Sequence, residues 1–281
     1  MDALPDPRSR LEAYARQNLP RYTSYPTAPH FGPLAEQDYR AWLADIGPGE
    51  PLSLYLHIPF CRELCWYCGC HTAITRNTAR LLRYADGLVR EAGLLAAALP
   101  ARQPVQALHL GGGTPSAIGA KGLRLVMEAL RAGFAFSAQA ELSVELDPRT
   151  LDDEMVALLG AQGFTRASLG VQEMDAGVQA LIGRIQPAAM VESAVARLRA
   201  AGIQSINLDL MYGLPGQDTD HIAATARFAG ALGADRVAVF GYAHIPWMKP
   251  AQKAIATEAL PGAMARLEQA EAAERALLDA G

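Results

Sequence analysis

Cys61, Cys65, Cys68 and Cys70 are the only cysteines in 281 residues, and all lie in the stretch YLHIPFCRELCWYCGCHT between Tyr55 and Thr72. The first three have the spacing C-x3-C-x2-C, and an apolar run from Leu52 to Ile58 delivers them to a loop. Thiols buried as small core residues would follow an apolar period. Here Arg62, Glu63 and Gly69 interrupt any such period. A disulfide framework fits no better, because cysteines this close in sequence staple nothing distant. The grouping points to a metal or iron–sulfur site. Structural zinc usually takes two separated C-x2-C knuckles or a Cys/His set. No second pair follows, although His57 and His71 flank the loop and could complete four ligands by count. An iron–sulfur cluster explains the spacing better, since three thiolates on one short loop can cap three irons of a cubane. The fourth iron is then left to Cys70 or to something that is not protein. If open, it can bind a substrate or cofactor, as an open catalytic metal does.

A loop of this kind needs a scaffold. From Pro51 onward, apolar strand-like runs at 52–58, 105–110, 141–146, 165–171, 203–211 and 236–242 alternate with helical patterns. The helical patterns cover 77–99, 119–132, 151–162, 174–201 in two pieces, 219–232 and 261–279. Six βα units in series predict an α/β fold with a parallel sheet and helices outside. The runs are largely apolar without clean alternation, as expected of strands covered on both faces. Special residues fall at the C-terminal ends of the runs, where barrel enzymes place their chemistry, so a barrel or partial barrel is favoured over a doubly wound sheet. Residues 1 to about 50 form an arm punctuated by prolines, with short helix patterns near Leu11–Gln17 and Gln37–Ala44.

The run ends carry these residues. Gly111-Gly112-Gly113-Thr114-Pro115 is not G-x-G-x-x-G. Its glycines would let backbone approach a ligand without Cβ interference. Glu145, taken alone, is a capping or solvated carboxylate, and Tyr55 in a strand reads as core packing. Asp209 reads as a buried carboxylate with Arg184 as its obvious partner, joined by bidentate bonds. His244 could handle protons, but a lone histidine is more often structural.

Composition narrows the classes. Apolar residues make up 51% and charged residues 19%, a soluble globular balance with ample core. The net charge of −4 argues against a broad nucleic-acid surface. No run approaches the roughly 18 apolar residues of a membrane span. The N-terminal sequence lacks a basic–apolar signal pattern. Clustered unpaired cysteines suit a reducing cytoplasm.

With Tyr67 just before its last cysteine, C-x3-C-x2-C resembles the signature of the radical S-adenosylmethionine (SAM) enzymes. In that superfamily SAM chelates the open iron through its amino and carboxylate groups. An electron from the cluster cleaves the sulfonium and releases a 5′-deoxyadenosyl radical. The superfamily's fold is a six-unit, three-quarter barrel, and the count here agrees. The ordered set RYTSYP, HIPFC…C…CGC, GGGTP, ELDP, SLGVQ, GRIQP, NLDLMYGLP and GYAHIP, from residue 21 to about 250, is similar to the oxygen-independent coproporphyrinogen III oxidases.

That resemblance implies roles. Cys61, Cys65 and Cys68 would hold a 4Fe–4S cluster, with Cys70 beside it rather than a fourth ligand. Tyr55 and Tyr67 would contact SAM, Tyr67 offering its ring to the adenine. Gly111, Gly112, Gly113 and Thr114 would hold the methionine moiety, and Glu145 would meet the first of two SAM molecules. Gln172 and Arg184 match positions that meet the second SAM, Asp209 joins them, and Ala243 makes a backbone contact. Arg21 and Tyr22 would reach toward the site opening to gate it or meet substrate, and Cys70 and Tyr22 are the expected catalytic residues. The implied reaction converts two propionates of coproporphyrinogen III to vinyls with loss of carbon dioxide, giving protoporphyrinogen IX. A reductase or flavodoxin-type electron donor and a monomeric state are expected. The alternatives are a haem chaperone, a haem-degrading radical enzyme, and an electron carrier in which Cys70 closes the fourth iron. Members of the family continue past this chain with a smaller C-terminal domain. The expected organisation is therefore an arm over 1–50 and a core over 51–281. If these residues are the whole molecule, they form a truncated form that keeps the cofactor site.

Overall fold

The computed structural model describes residues 6–17 and 25–281, so Arg21 and Tyr22 lie outside the described residues. The arm contributes helices α1 (Pro7–Ala15) and α2 (Glu36–Ala44). Strand β1 (Leu52–Ile58) leads through two short strands, β2 (Phe60–Cys61) and β3 (Ala73–Ile74), into α3 (Thr78–Ala98). The alternation continues with β4 (Pro104–Gly112), α4 (Gly119–Gly133), β5 (Ala135–Leu146), α5 (Asp153–Ala161) and β6 (Arg166–Gln172). Two helices, α6 (Ala176–Leu181) and α7 (Ala188–Ala200), precede β7 (Ser205–Tyr212), α8 (Thr219–Ala231), β8 (Arg236–Gly241) and α9 (Ala263–Asp279).

The six long strands are all parallel, in the order β1-β4-β5-β6-β7-β8. Among the described residues β1 and β8 do not pair, so the sheet is a partial (β/α)6 barrel open along one side. The six expected units are all present, most within a few residues of their expected bounds; β5 starts at Ala135 rather than at 141.

The expectation of strands covered on both faces does not hold. Burial alternates: in β7, Ile206, Leu208 and Leu210 are fully buried while Ser205, Asn207 and Asp209 are not. The same two-residue period runs through β6. The buried set faces the helices and joins Leu108, Leu110, Val144 and Leu169 in one core. Each such side chain contributes about 1.5–3 kcal/mol on burial. The other face lines an unclosed barrel, which leaves room for polar side chains and for ligands.

Caps fix the helices that follow the strands. Asn77 accepts from the Arg80 amide at 3.0 Å, Asp152 from Met155 at 2.8 Å and Asp175 from Val178 at 2.9 Å. Asp218 and His221 form a capping box on α8, which satisfies amides that would otherwise be orphaned. The first arm helix starts earlier than expected, at Pro7, because Asp6 accepts from the Arg8 and Ser9 amides. Arg8 pairs with Glu271, tying this helix to α9. No helix of the described residues is long and apolar enough to cross a membrane.

Candidate functional site

The short strands β2 and β3 close the cysteine loop at its root. The Ala73 amide donates to the Pro59 carbonyl at 2.7 Å and the Thr75 amide to the Cys61 carbonyl at 3.0 Å. Further along, the Trp66 amide donates to Ile182 at 3.0 Å, fastening the loop beside α6. Held in this way, Cys61, Cys65, Cys68 and Cys70 line one cavity of about 380 Å³. Its remaining wall is made of strand C-terminal ends: Gly112, Gly113 and Thr114 after β4, Glu145 and Asp147 at β5, Gly170 and Gln172 at β6, Asp209 at β7, and Ala243 after β8. Tyr67, Arg149 and Arg184 complete it.

Nearly all residues singled out in the sequence therefore meet here. Tyr55 and Gly111 do not line this cavity. Tyr55 is 58% exposed, stacks on His109 at 5.7 Å and hydrogen-bonds His57 Nδ1 at 2.9 Å. His57 and His71 also stay off the cavity wall, so the Cys/His zinc set is not assembled. Among the described residues no group of three or more His, Cys, Asp or Glu closes on a single ion. A cubane does not require that, because each thiolate caps a different iron.

The three sulfurs have different surroundings. Cys61 Sγ accepts from the Thr72 hydroxyl at 3.4 Å, and Cys68 Sγ from the Cys70 amide at 3.4 Å. Cys65 Sγ accepts from two guanidiniums, Arg149 at 3.2 Å and Arg184 at 3.4 Å.

Residues 55–229 match the Radical SAM superfamily. The chain belongs to that superfamily. It is 46% identical over 270 residues to the oxygen-independent coproporphyrinogen III oxidase of Bradyrhizobium diazoefficiens, covering 96% of this chain and 60% of that protein. Against the Escherichia coli K12 protein of the same name it is 40% identical over 250 residues, covering 89% of this chain and 54% of that one. The solved structure of E. coli coproporphyrinogen III oxidase (HemN), titled a radical SAM enzyme, matches with a TM-score of 0.88 at 38% identity, over 92% of this chain and 60% of that chain. The chain thus spans 54–60% of the length of these relatives.

Radical SAM proteins carry a 4Fe–4S cluster and SAM, and the donor set fits both. Each of the three spaced sulfurs already accepts a hydrogen bond, the environment that suits a thiolate ligand. Buried Arg184 Nε has no protein partner among the described residues. A hydrogen bond between the free Cys68 and Cys70 thiols lifts Cys68 and draws Cys70 down to about 7. Burial pushes Cys61 and Tyr67 up. Tyr67 also packs into an apolar cluster with Cys65, Ile182 and Tyr242.

One reading of these residues needs correction. Arg184 does not pair with Asp209. Its Nη1 and Nη2 each lie 3.3 Å from an Asp147 oxygen, and Nη2 also bonds the Gly170 carbonyl. The loop after α6 brings Arg184 to the β5 side of the cavity, while Asp209 is held by Ser168 Oγ at 2.8 Å and Asn207 Nδ2 at 2.7 Å. The glycine run is demanded by the chain as well as by any ligand it approaches. A Cβ on Gly113 would sit 2.7 Å from the Phe60 carbonyl oxygen, and one on Gly112, at φ +124°, 2.8 Å from that of Ile58. The amides of Gly112, Gly113 and Thr114 are taken by Glu145 Oε2, Ile58 O and Phe60 O. What this loop has left to offer a ligand is the carbonyl oxygens of its glycines and the Thr114 hydroxyl.

Asp147 and Arg149 were not singled out in the sequence. Their one local signal is the acid–proline–base run directly after β5, where Asp147 caps a short turn and accepts from the Arg149 amide at 3.0 Å. Gln172 is in the left-handed region at φ 67°, alone among the described non-glycine residues, a strained backbone of the kind that gathers at ligand sites. His244 bonds Tyr242 and Thr257 through its two ring nitrogens, which supports a structural part.

Proposed function

We propose that this chain carries the cofactor-binding core of an oxygen-independent coproporphyrinogen III oxidase, acting in the cytoplasm. The observation that carries the reading is the single cavity that joins the cysteine triad to the C-terminal ends of the five later strands of the sheet. Names of the relatives at 46% and 40% identity supply the substrate class. Cluster and SAM together would supply the carbon radical that takes hydrogen from an unactivated propionate carbon, which side chains alone cannot do.

The chain's own residues bind and orient. Cys61, Cys65 and Cys68 hold the cluster, and Cys70 stands beside it. Carbonyl oxygens of Gly112 and Gly113 accept from the SAM ammonium. Glu145 is already shared between His109 at 3.2 Å and the Gly112 amide at 3.1 Å, so it fixes this loop as well as meeting ligand. Gln172, Arg184 and Asp209 serve a second SAM molecule, and Tyr67 bounds the space for an adenine. An adjoining groove of about 1140 Å³ shares Tyr242, Ala243 and Ile245 with the cavity and brings in Arg16 and Arg266. Its size and its cations suit a tetracarboxylate macrocycle. Residues 1–50 act as an arm on the 51–281 core, and a flavodoxin-type protein delivers the electron.

Anaerobic reconstitution with iron, sulfide, SAM and dithionite tests this. The expected product is 5′-deoxyadenosine, and no deoxyadenosine from a cluster-loaded chain would sink the radical reading. With coproporphyrinogen III and a full-length chain, protoporphyrinogen IX is expected. Deoxyadenosine without it would leave the superfamily and remove the oxidase.

A further inference from the structure

Cys65 differs from the other two proposed cluster ligands in the charge of its donors. A hydroxyl serves Cys61 and a backbone amide serves Cys68, but two guanidiniums serve Cys65. Arg149 and Arg184 are 8% and 6% exposed in their side chains, and both hold Asp147, itself 9% exposed. Arg149 grips it most closely, with Nη2 2.7 Å from Oδ2. Two cations against one carboxylate leave this buried group with one positive charge next to a cluster sulfur. Glu63, half-exposed, reaches Arg149 Nη1 at 3.4 Å and screens it from the solvent side.

Arg184 alone would neutralise Asp147. Arg149 is thus surplus to that ion pair, and its other buried contact is the sulfur. A buried cation donating to a thiolate stabilises the more negative, reduced form of a cluster, because net charge and hydrogen bonds to sulfur set its potential, and a poorly screened charge acts strongly at this range. We propose that Arg149 is a positioning residue that raises the reduction potential of the cluster through Cys65, making it easier to reduce. This rests on the cluster assignment above and assigns Arg149 no contact with SAM or substrate.

The test is an anaerobic dithionite titration of the reconstituted chain, followed by electron paramagnetic resonance. Iron and sulfide content is measured first. A wild-type chain that takes up no cluster overturns the assignment above, and the inference with it. In Arg149→Gln the reduced-to-oxidised ratio at a fixed potential should fall about tenfold, ~59 mV for a one-electron couple. Arg149→Lys keeps the charge and should restore most of the ratio. Glu63→Gln removes the opposing charge and should move the ratio the other way. An Arg149→Gln cluster with unchanged potential, or an Arg149→Lys variant shifted as far as Arg149→Gln, overturns the inference. If Arg149→Gln holds no cluster, the Lys and Glu63 variants decide: a Lys ratio near wild type with a raised Glu63→Gln ratio supports it, and any other pattern overturns it.

Discussion

Asp147 and Asp209 stand two strands apart on the wall of one cavity, and their surroundings are opposite. Burial pushes the Asp147 carboxyl up, but the Arg184 and Arg149 guanidiniums outweigh it and hold the group below the usual carboxylate range. Burial pushes Asp209 up as well, helped by the Glu145 charge; the Ser168 and Asn207 hydrogen bonds and the more distant Arg184 charge oppose it without outweighing it, so it stays raised. Two half-satisfied acids would be indistinguishable by residue type. Asp147 is ion-paired to two guanidiniums, whereas Asp209 has no ion pair among the described residues, an arrangement that suits its proposed part in ligand binding.

The hardest blow to this contrast is Asp147→Ala. It strands two buried guanidiniums, and loss of a partner from a buried pair costs about 3–5 kcal/mol. Asp209→Ala should leave the unloaded chain as stable as before or slightly more so. Urea unfolding of both variants measures this, and equal losses would erase the distinction. Ligand binding should sharpen it from the other side. Asp209→Asn should weaken SAM binding to the cluster-loaded chain roughly tenfold to a hundredfold, about 1.5–3 kcal/mol for a hydrogen bond to a charged group, while stability is retained. Equilibrium dialysis with labelled SAM gives the number, and unaltered affinity would deny Asp209 a part in ligand binding.

The smallest effect is on acid stability, where the two residues act with opposite sign. A depressed native value means that the unfolded chain binds the proton first. The stability due to Asp147 is therefore full above about pH 3.9, the ordinary carboxylate value, and is lost as pH falls through the native value. A raised value reverses the slope: the cost due to Asp209 is full above its native value and fades as pH falls toward about 3.9. Unfolding free energy against pH should thus lose part of its acid fall in Asp147→Asn and part of its opposing slope in Asp209→Asn. Parallel curves for the two variants would refute the assignment.

Much of this was legible in the sequence. Six βα units, the cysteine loop and the placement of polar residues at strand ends all follow from local pattern, and the structure keeps them. The alternation Ile206, Asn207, Leu208, Asp209, Leu210 was also present in the sequence, but apolar neighbours made the strands look covered on both sides. The wiring around Cys65 was not legible. Arg149 meets Cys65 across 84 positions, and Arg184 meets Asp147 across 37. Such pairs depend on which way a loop turns at the barrel mouth, and no residue spacing encodes that. The glycine run was legible as a need for room, but not the part of that need set by the carbonyls of Ile58 and Phe60.

The two-residue bridge between Phe60–Cys61 and Ala73–Ile74 is too short to leave a sequence pattern, yet it changes how the loop meets its irons. Bringing together the ends of a free segment of about ten residues costs about 2 kcal/mol in closure entropy. Here the paired strands close the segment at its root. The proposed cluster ligands thus sit on a loop that the barrel itself closes, so a change that loosens the barrel should also loosen its hold on the cluster.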